Sequence, residues 1–203
     1  MAHETSIGDV TVIETPRLLL RRWQSADREL FARLNADPRV MEFLPAILTR
    51  EQSDALADRL EAHFNCRGFT FFALELRGTG EFIGFTGAAV VPFEAHFTPC
   101  VEVGWRLAFE HWGHGFATEA AHAVLRYCRE TLNLPQVVAF TVPANIRSRR
   151  VMEKSGMTYD PSEDFDHPNI PEGHQLRRHV LYRYTVAQAL VPAGPGLIPA
   201  PAV

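Results

Sequence analysis

Residues 101–120 read Val-Glu-Val-Gly-Trp-Arg-Leu-Ala-Phe-Glu-His-Trp-Gly-His-Gly-Phe-Ala-Thr-Glu-Ala, and no other stretch restricts the fold so tightly. Val101, Val103, Trp105 and Leu107 alternate at period two, the pattern of a strand with one buried face. Gly113 and Gly115 then mark a turn. Beyond it Ala117, Ala120, Ala121, Val124, Leu125 and Cys128 share one helical face. Three of these are alanine, so the helix can lie close against a sheet. A strand, a glycine turn and a helix therefore follow one another directly. The first N–H groups of a helix lack partners inside it, and its dipole is positive there. Glycines let an anion approach those groups closely, which is the physics of a phosphate site. A plain turn needing glycine for its dihedral angles gives the same spacing. The segment is not a Walker loop, because no Gly-Lys-Ser/Thr follows. It is not a dinucleotide fingerprint either, because Thr118 stands where a third glycine belongs.

Elements of both kinds flank this unit. Leu18–Leu20 reads as a first strand. Ser25 before Ala26-Asp-Arg-Glu29 reads as an N-cap with acids in the first turn of a helix reaching about Asn35. Thr49 opens a second helix, with Leu56, Leu60 and Phe64 on one face and Gly68 beyond its end. Phe69–Leu76 and Phe82–Val91 form a hairpin about Arg77-Gly-Thr-Gly80. Strands follow at Val137–Val142, Met157–Tyr159 and His179–Val186, with a short helix over Asn145–Ser155 closed by Gly156. Asp160–Arg178 is a long polar loop with three prolines. The order predicts an α+β (mixed α/β) fold with helices on both faces of a sheet. Residues 14–187 are expected to form one domain. Residues 1–13 are an N-terminal extension and residues 191–203, rich in Pro, Ala and Gly, a disordered tail.

Charge and cysteine usage exclude several classes. The net charge of -4 argues against a general nucleic-acid binder, which needs a basic excess. The three cysteines form no C-x-x-C pair, so neither a disulfide framework nor a zinc knuckle is expected, and the simplest compartment is the cytoplasm. No basic-then-apolar leader opens the chain, and no apolar run approaches the ~20 residues of a membrane span. His111 and His114 are three apart, but glycine interrupts the helix between them and no third ligand is evident, so no metal site is expected.

Four segments in order resemble the GNAT superfamily of acyl-CoA-dependent N-acyltransferases. They are Thr15-Pro-Arg-Leu-Leu-Leu-Arg21, Val101-Glu-Val-Gly-Trp105, Trp112-Gly-His-Gly-Phe-Ala-Thr-Glu-Ala120 and Asn145-Ile-Arg-Ser-Arg-Arg-Val-Met-Glu-Lys-Ser-Gly156. Within the superfamily the chain looks like the branch of ribosomal-protein N-terminal acetyltransferases (RimJ/RimL-type). The resemblance implies a mostly antiparallel twisted sheet of about seven strands, splayed between the fourth and fifth. It implies acetyl-CoA as cosubstrate, no metal, and transfer of acetyl to a primary amine. The acceptor would be a small amine or a protein N-terminus such as that of a ribosomal protein. A homodimer is the family-based expectation, with no direct contact to nucleic acid or membrane.

By that resemblance the amides of Gly113, His114, Gly115, Phe116 and Ala117 cradle the CoA pyrophosphate. Main-chain groups near Arg106 and Leu107 pair with the pantetheine arm, and Asn145 bonds it, although Asn145 also suits a helix N-cap. Glu102 is the candidate base, or else a strand carboxylate paired with an arginine; the amine could also arrive neutral. Ser148 is the candidate acid for the leaving thiolate, or else a plain helix serine. Arg147, Arg149 and Arg150 are a solvated basic run, one of which could meet a CoA phosphate. His167, His174 and His179, with Asp164 and Asp166, fall where the family selects its acceptor, and Phe43, Phe69, Phe72 and Phe97 are candidate groove linings. One departure stands out: Glu110 occupies the first position of the pyrophosphate turn, where the family commonly has Gln or Arg. It keeps open a catalytically silent CoA-binding or sensor protein, beside a transferase for another acyl-CoA.

Overall fold

The computed structural model describes residues 13–185. The expectations for the N-terminal extension, apart from Ile13, and for the tail over 191–203 lie outside the described residues. Nine strands and four α-helices are seen among those described. The strands are β1 (Ile13–Glu14), β2 (Leu18–Arg21), β3 (Phe71–Leu76), β4 (Glu81–Val90), β5 (Val101–Leu107), β6 (Gln136–Thr141), β7 (Thr158–Tyr159), β8 (Phe165–Asp166) and β9 (Arg178–Thr185). The helices are α1 (Asp27–Ala36), α2 (Arg50–Arg67), α3 (Phe116–Glu130) and α4 (Ile146–Lys154). The sheet runs β1-β2-β3-β4-β5-β6-β9-β7, with β8 added against β9. The mixed α+β expectation holds. The strand count exceeds the expected seven because β1 and β8 are two residues each, too short to show a period.

Every pairing is antiparallel except β5 with β6. That parallel pair has a single register partner, Glu102 with Val138. Beyond it the two strands part, so β5 from Val103 onward has no strand partner on that side. This is the splay expected between the fourth and fifth long strands.

Alternation along the strands sorts side chains onto two faces. Leu18, Leu20, Phe72, Leu74 and Ile83 pack with Ala120, Val124 and Leu125 of α3. The alanines at 120 and 121 are wholly buried, as a close helix-on-sheet contact requires. On the opposite face Ala73, Phe82 and Phe85 meet Phe31 and Leu34 of α1 and Ala57 of α2. A third cluster joins Val138 and Leu181 to Phe97 and Phe165, so the 91–100 and 160–178 segments roof the β6–β9 end of that face. Fully burying a large apolar side chain such as Phe72 contributes about 1.5–3 kcal/mol.

Local signals explain most element ends. Thr49 and Gln52 form a reciprocal capping box at α2, and Gly68 closes it in the left-handed conformation. The start of α1 differs from expectation. Its N-cap is Ala26, without a side-chain cap, rather than Ser25. Asp27 instead accepts the Gln24 amide at 2.7 Å and receives both terminal nitrogens of Arg21 at 2.7 and 2.8 Å. Arg21 also donates to Glu75 at 2.6 Å. A tertiary ion-pair network, not a local cap, fixes where α1 begins.

Candidate active site

The turn between β5 and α3 is built from left-handed glycines. Phe109–His111 form a 3-10 turn, and Gly113 and Gly115 follow with φ of +80° and +79°. Other residues reach that region only at a cost. Gly115 is itself the N-cap of α3 and carries no capping side chain. Its carbonyl accepts from Glu119 N, but among the described residues the N–H groups of Phe116, Ala117 and Thr118 have no acceptor. Three free donors at the positive end of a 15-residue helix thus face outward.

The turn is braced from the far edge of the sheet. Glu119 accepts Thr15 Oγ1 at 2.6 Å, Arg17 N at 3.0 Å and Arg17 Nε at 2.6 Å. Arg17 also donates to the His114 carbonyl at 3.0 Å, and its guanidinium lies 4.6 Å from the Phe116 ring centroid. These contacts, with the Thr15 bond foremost among the side-chain partners, offset the burial of Glu119 and hold its carboxyl below the usual range. The Thr15-Pro-Arg17 segment therefore braces the glycine turn.

A cavity of about 740 Å³ opens beside the turn. Its lining includes Gly113, Gly115, Phe116, Ala117 and Thr118 on one side and Val40, Phe43, Leu44, Leu56, Phe71 and Phe85 on the other. The gap between β5 and β6 lies between these walls. On β5, Val101, Val103 and Leu107 join the α3 core. Glu102, Gly104 and Arg106 take the opposite face and line the cavity. Glu102 makes no hydrogen bond or ion pair among the described residues, and burial pushes its carboxyl up to about 7. The arginine-paired alternative for Glu102 is therefore not what is seen. The Leu107 carbonyl already accepts Trp112 Nε1 at 2.9 Å, which pins the turn to the strand end.

From the other side comes α4. Asn145 is its N-cap: Oδ1 accepts Ser148 N at 3.2 Å while Nδ2 donates to Thr141 Oγ1 at 3.0 Å. Ser148 lines the cavity with its hydroxyl free of any partner among the described residues. Arg150 and Lys154, one turn apart, also line it and have no acidic partner among the described residues. Arg147 and Arg149 are engaged elsewhere. Arg147 pairs with Glu42 at 2.7 Å above the Trp112 ring, and Arg149 donates to Tyr182 Oη at 3.2 Å.

Several sequence-predicted residues fall outside the cavity. Phe69 and Phe72 pack toward α3, and Phe97 lies in the third cluster; Phe71, Phe85 and Phe140 take their place beside Phe43. Asp164 accepts Tyr159 Oη, and Asp166 pairs with Arg177 and Arg178, both structural uses. His174 caps its own turn by accepting Leu176 N. His167 and His179 do line the cavity, with ring centroids 5.1 Å apart, and burial lowers both below the usual imidazole range. His111 meets Glu81 at 3.2 Å and His114 stacks on Phe116, whose ring His111 also approaches at 6.4 Å. Glu110 is exposed and pairs with Arg39 at 3.2 Å, directed to the α1–α2 connection rather than to the glycine turn.

Comparison with known proteins bears on this geometry. Residues 17–158 match the family model described as the acetyltransferase (GNAT) domain. The FsC-acetyl coenzyme A-N(2)-transacetylase of Aspergillus fumigatus is 30% identical over 177 residues, which span 79% of this chain and 72% of that protein. The crystal structure of an acetyltransferase from Agrobacterium tumefaciens is 29% identical, with a TM-score of 0.70 over 91% of this chain and all of its own. RimL, the ribosomal L7/L12 alpha-N-protein acetyltransferase solved with coenzyme A, has a TM-score of 0.69 over 86% of this chain and 98% of its own. At 14% identity that likeness is one of fold.

Proposed function

Since the chain belongs to the GNAT acetyltransferase family, we propose that it transfers the acetyl group of acetyl-CoA to a primary amine by direct attack in a ternary complex. One observation carries this reading: the free amides at the start of α3 and the unpaired Glu102 carboxylate open onto one cavity, across the gap between β5 and β6. The Aspergillus relative is named for acetyl coenzyme A and an N(2) transacetylation, which agrees with this assignment.

The residues divide the work as follows. Amides from Gly113 to Ala117 hold the pyrophosphate, with Arg150 and Lys154 placed for a further phosphate. Unpaired main chain of β5 holds the pantetheine arm, and Asn145 shapes that wall while capping α4. The cosubstrate supplies an acyl carbon activated as a thioester. The amine nitrogen bonds to that carbon and the C–S bond breaks. Glu102, half-buried and near neutral pKa, accepts the proton the nitrogen loses. Ser148 donates a proton to the departing thiolate, itself a fair leaving group, and is reprotonated from water as Glu102 returns its proton to solvent. Proximity of both reactants in one cavity supplies much of the rate.

The silent CoA-binding alternative rested on Glu110. Its pairing with Arg39 directs the carboxylate toward the α1–α2 connection and away from the turn amides, which supports a cradle of backbone groups. Release of free thiol from acetyl-CoA, followed against a panel of amines and N-terminal peptides, tests the proposal. Turnover with at least one acceptor is expected. Tight CoA binding with no release for any acceptor would leave the silent reading in place.

A further inference from the structure

Arg106 is the other charged side chain on the cavity face of β5. Its Nη1 donates to Asn35 Oδ1 at 2.5 Å, and its guanidinium lies 5.1 Å from the Phe85 ring centroid. Asn35 is neutral and is itself held by Ser53 at 2.9 Å. Among the described residues no carboxylate pairs with Arg106. Arg21 and Arg183, the other arginines drawn well out of solvent, each hold a carboxylate at 2.5–2.7 Å. Burial alone brings the Arg106 guanidinium down to about 10, so it stays charged at neutral pH. An unpaired cation out of solvent is costly, and an anion from outside offsets that cost.

Glu102 stands four residues away on the same face, and it too lacks a counter-ion. At the rise of a strand the two Cα atoms are ~13 Å apart. Gly104 lies between them, and the Phe71 ring covers it, 3.1 Å from where a Cβ would sit. The cavity thus presents a carboxylate at one end, an apolar floor, and a guanidinium at the other. Arg39, Val40, Phe43, Leu44 and Pro45 wall the cavity on one side, and their segment is tied by Arg39 to Glu110 and by Glu42 to Arg147. With that wall in place, a small acceptor suits the space better than a long peptide.

Resting on the transferase reading above, we propose that the acceptor is a small amine bearing a carboxylate, an aminocarboxylate, whose carboxylate is received by Arg106 while its amine lies beside Glu102. The guanidinium fork has four donors left after Asn35 and matches a carboxylate with two parallel bonds. The same carboxylate could instead sit on the acyl group of a dicarboxylic acyl-CoA, and the experiment separates the two sources.

Thiol release is measured with α-, β- and γ-amino acids, each against its own carboxamide. The carboxamide amine is the less basic, so more of it is neutral near pH 7.5; that bias works against the expected result. The acid form of at least one pair should show kcat/KM tenfold or more above its amide. Arg106→Gln should bring that ratio towards one, and Arg106→Lys should retain part of it. Asn35→Asp, which places an internal carboxylate on the guanidinium, should also collapse it. CoA affinity, measured by calorimetry on each variant, reports that the cofactor side is intact. Turnover indifferent to the carboxylate, or confined to peptide N-termini, would overturn this inference alone. So would a wild-type preference for succinyl-CoA over acetyl-CoA with a neutral amine that Arg106→Gln abolishes, since the carboxylate would then belong to the donor. No turnover with any amine would overturn the transferase reading and this inference with it.

Discussion

Replacing Glu102 by Gln tests burial and chemistry together. The carboxyl is raised from 4.5 to about 7 by desolvation, with no charged neighbour contributing. The fold therefore disfavours the ionised form by about 3 kcal/mol relative to the unfolded chain. The sign follows from linkage. A folded pKa above the unfolded one means a stability contribution fully present below pH ~4.5 and lost as pH rises through about 7. Glutamine has the same shape and no proton to lose. Glu102→Gln should thus leave stability nearly unchanged at pH 4.5 and raise it at pH 8 by up to ~3 kcal/mol. For a chain of this length that is a gain in Tm of roughly 6–12 °C.

The same variant should lower turnover. With a base of pKa about 7, the wild-type rate climbs roughly tenfold between pH 6 and pH 8 as the ionised fraction grows. The variant should lack that inflection and recover only at high pH, where the amine deprotonates by itself. Thermal unfolding at pH 4.5 and pH 8, with a pH–rate profile of both proteins, gives both readouts. A Tm difference that is the same at the two pH values would refute the burial argument. An unchanged rate at neutral pH would remove Glu102 from the proton transfer.

Three other substitutions probe the remaining parts. Gly113→Val forces a β-branched residue to φ +80° and displaces the turn amides, so CoA affinity measured by calorimetry should fall tenfold or more; an unaltered affinity would mean the pyrophosphate binds elsewhere. Asp27→Ala leaves the buried Arg21 guanidinium with Glu75 alone and should cost about 3–5 kcal/mol in urea unfolding; a loss under 1 kcal/mol would show that the network relaxes into solvent. Ser148→Ala should reduce kcat several-fold with little change in KM, and a selective rise in KM would assign the hydroxyl to binding instead.

How far the sequence could be read depended on the range of the interaction. The α3 face, the Thr49–Gln52 box and the Gly68 stop are encoded within one or two turns of chain, and each lies where its pattern puts it. The splay was anticipated from family likeness, and its physical trace is a single β5–β6 register pair. The groove aromatics illustrate a different limit. Successive strand residues point to opposite faces, so a one-residue error exchanges core for cavity. Phe72 belongs to the α3 core while Phe71 lies over Gly104. Nothing local distinguishes two adjacent phenylalanines; only the register with β4 does. Ser25 failed as a cap for a related reason, because the Asp27 carboxylate that shapes the turn answers to Arg21 and Glu75 across the sheet.

Glu110 shows how a local reading of one position can mislead. By sequence alone it is a carboxylate at the position where the family resemblance implies a phosphate contact. In the fold it reaches the α1–α2 connection, where Arg39 receives it and lies 4.0 Å over the Phe109 ring. Glu42 of the same connection reaches Arg147 on α4. The α1–α2 connection is thus tied both to the turn before α3 and to α4. These pairs are exposed, so water and salt compete with them and neither locks the segment. A weak tie of this kind leaves the 38–48 segment freer to move than the glycine turn, which Glu119, Thr15 and Arg17 brace; on the proposed function, that difference suits entry of the amine and release of its amide. The Glu110 carboxylate thus belongs to the tie between the α1–α2 connection and the approach to α3, and not to the turn amides.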